Sequence, residues 1–522
     1  MKTYKGILIV GFLGVVLNAG AQTSYDAVRI GSGELNGTAR FVGMGGAMGA
    51  LGGDISVMGT NPAGIGIYRS NDVAVSFGFN SNKTKSDFGS VSMKEDRTRA
   101  SFDQIGFVYS NKIGNNTSLR FVNFGFNYHK HKNFNELFSM GGLLDGYSQT
   151  WQMASMTDGL SIQEFDKILS GEGNPYIDMP DVGYLTILGG RAMLVDPEDQ
   201  EQKLYQGWPG DQNLYTSRQE GGINQYDFNI AFNVEDRFYF GATLGVYDVN
   251  YNRYSSYTED LLQQGEDGQY YSNGGYTLEN WFRTEGTGID LKLGVIVRPF
   301  ENSPFRLGFA VHTPTWYDLT DSYSAAIHSE IDHYNDSYNG YTADALNGDR
   351  IDNYSLTTPW KFNVSAGTTV GSVLALGAEY EYQDYSSSKA KTPDGIEMTT
   401  FTDRYKANLK GVHVLRLGME ARLAPQFSLR AGYNFTSSIF NKDAFKFLPY
   451  DSPRTDTEYN NINERNTVTC GLGYRGSIIY ADLAYKYDMY KSDFYAFVND
   501  GLPATKVDNS RHQLLLTVGA RF

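Results

Sequence analysis

From Asn71 onward the chain alternates between apolar and other residues with a period of two. Tyr226, Phe228, Ile230 and Phe232 interleave with Asp227, Asn229, Ala231 and Asn233. Ile289, Leu291, Leu293, Val295 and Val297 interleave with Asp290, Lys292, Gly294, Ile296 and Arg298. The same rhythm returns over Leu415–Arg422 and over Gln513–Phe522. A period of two marks strands with one apolar face. A soluble sandwich alternates in the same way, so length and chemistry decide. These runs reach about ten residues or more, beyond the globular mode of about 5–6 and suited to a tilted membrane strand. The second face carries charge, Gly, Asn and Thr, as the wall of a lumen does. Fourteen strands are predicted, at 72–80, 102–111, 117–129, 222–233, 236–252, 281–299, 303–318, 354–369, 372–386, 410–423, 426–437, 464–475, 478–490 and 511–522. The count is even, as in bacterial single-chain barrels. Short connections (112–116, 234–235, 300–302, 370–371, 424–425, 476–477) alternate with long ones. The short ones are expected to be periplasmic turns and the long ones extracellular loops. In lipid only helices or a closed barrel satisfy the backbone. Beyond the first twenty residues no apolar run approaches the roughly 18 that a membrane helix needs. The predicted class is therefore all-β, a 14-stranded antiparallel transmembrane barrel.

Two segments do not alternate. Residues 22–70 are Gly-rich and precede the first strand. Residues 133–221 form the longest loop. At its start Phe134, Leu137, Phe138, Leu143 and Leu144 have helix-like spacing, which predicts short helices over 133–156, lying on the barrel mouth. So long a connection is expected to be functional. The acidic segments 321–336 and 451–464 read as solvated external surface. Lys2, Lys5, the apolar run 6–17 and Ala19-Gly20-Ala21 make an export signal over 1–21, with Gln22 the expected mature start. No cysteine follows to carry a lipid anchor. The last strand ends on Phe522 and resembles the assembly signal read by barrel-insertion machinery.

Composition narrows the function. With 44 Lys and Arg against 59 Asp and Glu the net charge is −15, which argues against a nucleic-acid partner. The single Cys470 excludes an intramolecular disulfide and any site built from several thiolates. The glycine run 43–53 lacks the Lys-Ser/Thr ending of a phosphate loop and follows no strand; its glycines suit tight turns in a plug. A hydrolase would need a serine or other nucleophile beside a histidine on the wall, and no such pairing stands out; no catalytic residue, cofactor or metal is expected. His129 and His131, two apart at the exit of the third strand, fit either a metal or haem contact or a simple polar pair at a loop base.

Residues Arg40–Ile65 read RFVGMGGAMGALGGDISVMGTNPAGI. This stretch resembles the hatch of the FadL/TodX family of outer-membrane hydrophobic-compound transporters, which includes relatives labelled haemin receptors. The matching hatch motif is Asn61, Pro62, Ala63 and Gly64. RLGFAVHTP (306–314), LRLGMEARL (415–423), FSLRAGYNF (427–435) and GLGYRGS (471–477) are similar to the family's barrel strands. The resemblance implies a hatch (22–70) inside a barrel (71–522) and passive uptake of hydrophobic molecules, long-chain fatty acids by default. It also implies lateral release through a kink in the third strand. In that strand Leu119 and Phe121 hold one phase and Phe124, Phe126 and Tyr128 the other. A slip at Val122-Asn123 is what a bulge looks like, and marks the expected lateral opening. Lys292, Arg306, Lys361, Arg416 and Arg430 are candidates for holding a ligand carboxylate, with Asp227, Glu379, Glu420 and Asp482 available to pair with them instead. The alternative function is a haem-binding or adhesive surface receptor with a sealed barrel. The expected partners are a hydrophobic small molecule, outer-membrane lipids and the barrel-assembly machinery. The expected state is a monomer in a Gram-negative outer membrane with both termini periplasmic.

Overall fold

The computed structural model describes residues 22–115, 117–170 and 173–522; the expected export signal lies outside them. The strands are β1 (Asp72–Phe88), β2 (Val91–Lys112), β3 (Leu119–Asn133), β4 (Glu136–Gly146), β5 (Val195–Asp199), β6 (Leu204–Gly207), β7 (Gly210–Val234), β8 (Phe238–Gln264), β9 (Tyr270–Val297), β10 (Arg306–His312), β11 (Trp316–Ile331), β12 (Asp336–Tyr341), β13 (Arg350–Thr357), β14 (Lys361–Val370), β15 (Leu374–Asp384), β16 (Lys389–Lys391), β17 (Gly411–Ala424), β18 (Phe427–Thr436), β19 (Tyr459–Arg475), β20 (Ile479–Tyr495) and β21 (Thr505–Arg521). Each wall strand pairs antiparallel with its neighbours, and β21 closes on β1 from Asp72↔Arg521 to Asp87↔Lys506. β3 runs on into β4, β10 into β11, and β13 into β14, so the wall has fourteen strands. The expected fold class holds.

Outward positions carry the apolar band, including Phe77, Phe107, Phe124, Phe228, Leu291, Phe309, Phe362, Leu417, Leu472 and Leu516. Trp316, Trp360, Tyr380 and Tyr485 edge the band on the loop side, the usual place for amphipathic rings at a membrane interface. Above it the strands continue into long hairpins, of which β8 and β9 are the longest at 27 and 28 residues.

Segment 133–156 corrects the sequence reading. Glu136–Gly146 is a strand, not a helix. Its spacing looked helical because β4 buries the run Phe138–Gly141 on both faces. One edge pairs with β7, and the other accepts side-chain bonds from β1: Thr84 Oγ1 to Leu137 O (3.0 Å) and Ser86 Oγ to Ser139 O (2.7 Å). The expected helix holds from Gln149, where α3 (Gln149–Thr157) begins, followed by α4 (Ile162–Ser170), α5 (Pro175–Asp178) and α6 (Tyr184–Arg191). They pack Met153, Phe165, Leu185, Ile187 and Leu188 against the hairpin tops as a cap with its own apolar core.

The acidic segments also differ from expectation. Asp321 lies inside β11, fully buried, and Asp456 and Glu458 are buried beside Arg454 and Arg253. Neighbouring cations, invisible in the local acidic run, hold Asp456 and Glu458 inside, while Asp321 accepts from the Thr284 hydroxyl.

Under the cap, Glu259 is a buried carboxylate. It accepts bonds from the Tyr257 and Tyr276 hydroxyls (2.7 and 3.0 Å) and from Gln149 N (3.1 Å). Glu259 lies in the extension of β8 beyond the apolar band, and burial raises its pKa from 4.5 to about 7. The native state therefore favours the protonated acid, and stability falls as pH rises through that window. Glu259→Gln is expected to melt increasingly above the wild type from pH 4.5 to about 7, by up to about 3 kcal/mol. Parallel thermal denaturation curves at each pH check it; an unchanging difference would contradict it.

Inside the wall, the N-terminal segment forms α1 (Ser24–Gly31), α2 (Ala39–Gly43) and two 3-10 turns, Ile55–Gly59 and Pro62–Ile67. A capping box between Thr23 and Asp26 starts α1. This helix lodges at the loop end of the lumen: Tyr25 stacks on Phe440 (4.8 Å) and donates to Asn461 Oδ1 (2.6 Å). At the other end Phe522 lies at the turn side, bonded to Asn71.

Candidate functional site: a lumen cavity between hatch and wall

The N-terminal segment seats in the wall where lumen-facing side chains are missing. Asn61 is fully buried and caps the turn Pro62–Ile67, accepting from Ala63 N (3.2 Å). It sits against Gly294 of β9, where a Cβ would fall on its amide oxygen, and a Cβ at Gly241 of β8 would fall on the Pro62 carbonyl. The Asn-Pro-Ala-Gly motif thus occupies a notch cut by strand glycines. An ion chain anchors the other side: Arg40 pairs with Glu420 (2.9 Å), Glu420 with Arg430 (2.6 Å) and Arg430 with Asp482 (2.6 Å). Gly294→Val must displace Asn61, and overpacking of this kind costs about 1–3 kcal/mol. The expected result is a lower melting temperature with the hatch newly open to protease; a variant indistinguishable from wild type would contradict the seating.

Between this hatch and the wall lies a cavity of about 350 Å³. Tyr25, Val28, Phe134, Val412, Ile439 and Phe440 give it an apolar side. The five candidate cations fare differently. Lys292, 2% exposed, is bound by Asp290 (2.6 Å) and Asp227 (3.3 Å). Arg416 is held by Glu379 and Glu381, and Lys361 by Glu381 (3.6 Å). These three line the cavity with their charge already matched. Arg430 belongs to the hatch anchor, and Arg306 donates to Leu51 O (2.8 Å) beneath the hatch; neither lines the cavity. The cation the sequence reading missed is Lys132. Its Nζ donates to Arg29 O (2.8 Å) and Ser32 Oγ (2.6 Å), and among the described residues no carboxylate pairs with it. Nothing in the local pattern separates it from the neighbouring lysine. His129 and His131 both face the cavity rather than a loop base.

The wall is interrupted beside this cavity, though not where expected. Across Val122–Asn123 the ladder is unbroken on both edges. Asn123 faces inward and clamps the hatch, donating to Ile65 O (2.7 Å) and Tyr68 O (3.0 Å). The apparent slip came from Leu119, displaced by a register shift at Arg120. The real irregularities are a bulge in β2 at Asp103 and a shift in β3 at His131. Pairing of β2 with β3 stops at Gln104↔His129, and from there to Val91 β2 pairs with β1 alone. The hatch fills the breach: Asn36 Nδ2 donates to Asp103 Oδ1 (2.9 Å) and to Lys130 O (3.0 Å), and Glu34 N to His131 O (3.0 Å).

No protein-family model matches this chain, and no curated protein does. Among solved structures, a Pseudomonas aeruginosa FadL homologue superposes over 94% of this chain and 100% of its own, with TM-score 0.53 and 13% identity. The chain has the FadL-type fold. The toluene transporter TodX of Pseudomonas putida gives TM-score 0.49 at 12% identity, over 93% of this chain and 99% of its own. In this FadL-type barrel the hatch has two seats, the glycine notch below and the β2–β3 breach at the side.

Proposed function

We propose that this barrel takes up small hydrophobic molecules across the outer membrane of a Gram-negative bacterium, without catalysis. The observation that carries the reading is the cavity itself: it is walled partly by the hatch and abuts a breach in the barrel that the hatch stoppers. Its volume falls within the range of small-molecule sites, about 300–1,000 Å³. Residues 1–21 are read as the export signal, 22–70 as the hatch and 71–522 as the barrel, inserted as a monomer by the assembly machinery. The favoured cargo is a long-chain fatty acid. Its chain would lie along Val28, Phe134, Ile439 and Phe440, and its carboxylate would meet Lys132. Movement is downhill, driven by burial worth about 0.8 kcal/mol per CH₂. The cargo leaves sideways where β2 and β3 part, once Asn36 withdraws.

Equilibrium binding of labelled oleate to the purified barrel tests this. Saturable binding is expected, weakened roughly tenfold by Lys132→Met, since a charge-assisted hydrogen bond is worth about 1.5–3 kcal/mol. No saturable binding would overturn the cargo assignment. Binding that ignores the substitution would remove Lys132 from it.

A further inference from the structure

Two prolines face each other in the middle of the wall. The registers His312↔Lys361 and Trp316↔Thr357 put Pro314 opposite Pro359 on adjacent strands. Proline removes a ladder donor and is normally confined to edges and bulges. Here the seam between β10/β11 and β14/β13 is held at this level by Thr358 N to Thr315 O (3.0 Å) and by Thr315 N to the Thr358 hydroxyl oxygen (2.8 Å), a side chain standing in for a main-chain acceptor. Thr313 N turns away from the seam, to Leu291 O of β9 (2.9 Å). The next strand departs here too: after Lys361↔Gln383 the chain makes a 3-10 turn at Tyr385–Ser387, and pairing resumes at Thr357↔Lys389.

Both sides of this weak seam are informative. Thr313, Thr315, Thr358 and Pro359 line the lumen cavity. Trp316 and Trp360, 48% and 50% exposed, stand outside at the upper edge of the apolar band. The hatch covers the inner face: the His312 Nε2 ring nitrogen lies 2.8 Å from Thr60 O, and Gly31 of α1 abuts the Thr358 methyl group. A wall defect, the cavity behind it and a hatch stopper make the same set as at the β2–β3 breach, five strands further round.

We propose that the proline seam is a second lateral port, through which apolar cargo passes between the cavity and the outer leaflet at the level of Trp316 and Trp360. The proposal rests on the barrel being a carrier. The strands would part here once Thr60 and Gly31 of the hatch withdraw, independently of Asn36 at the other breach.

The test is uptake of labelled oleate by cells lacking their own fatty-acid transporter, expressing the full chain with Pro314→Cys, Pro359→Cys and Cys470→Ser. Oxidation should lower uptake in part and reduction should restore it. Adding a second staple, Asn36→Cys with Asp103→Cys, should remove the remainder. A second variant, Pro314→Thr with Pro359→Thr, replaces the facing prolines with strand-forming residues and should lower uptake without any cross-link, so the outcome does not depend on the disulfide forming. Equal uptake in oxidised and reduced cells, together with wild-type uptake by the threonine variant, would overturn the port and leave the carrier standing. No uptake by the wild type would overturn both.

Discussion

Replacing Asp26 with Asn should loosen α1 and lower the barrel's stability by about 3–5 kcal/mol, the range for breaking a buried ion pair. Asp26 is 3% exposed and pairs with Arg454 (2.6 Å) and Arg29 (2.5 Å). Arg454 also binds Asp456, which in turn holds Lys446 (2.6 Å) and Arg253. The carboxylate of one short helix thus ties the hatch to an external loop and, through Arg253, to β8. Without it two arginines stay buried with less negative charge to meet them. Thermal unfolding should show the loss, and planar-bilayer recording should show conductance steps absent from the wild type as α1 leaves the lumen. An unchanged melting temperature with silent bilayers would contradict the tether.

Stapling the hatch to the breach should remove most of the transport. Asn36 and Asp103 already touch through their side chains (2.9 Å), so Asn36→Cys with Asp103→Cys is placed to cross-link. Cells carrying the oxidised protein should lose most oleate uptake and regain it on reduction; with the proline seam acting as a second port, the residue left behind passes there. Above the breach Arg97 donates to Gln219 O (2.9 Å) and pairs with Glu220 of β7. β2 therefore reaches past β3 to the next strand, and the opening is bounded above as well as below. Uptake unaffected by the staple would place the route elsewhere.

The barrel was legible because its physics repeats along the chain: each wall strand must turn one face to lipid, so alternation survives in every hairpin. The hatch motif was legible by resemblance, but the reason for it was not. Asn61 fits only because Gly241 and Gly294, some 180 and 233 positions later, leave room. The lateral break was misplaced for a related reason. Leu119 and Phe124 suggested a slip at Val122-Asn123, whereas the bulge that matters is Asp103 on the partner strand, visible only once pairing is known. Helical spacing in Phe134–Leu144 failed because a strand buried on both faces loses its alternation. Of the five cations chosen for a ligand, four proved to be matched by carboxylates, all but Asp290 brought by the fold from other strands, and charge balance across strands has no local signature.

The central claim is that hydrophobic molecules enter the cell through this barrel. The most direct measurement is uptake of labelled oleate by intact cells lacking their own transporter, with and without this protein at equal surface expression. The account predicts a protein-dependent rise that the oxidised Asn36–Asp103 staple suppresses. No rise from a correctly inserted barrel would contradict fatty acid as its cargo.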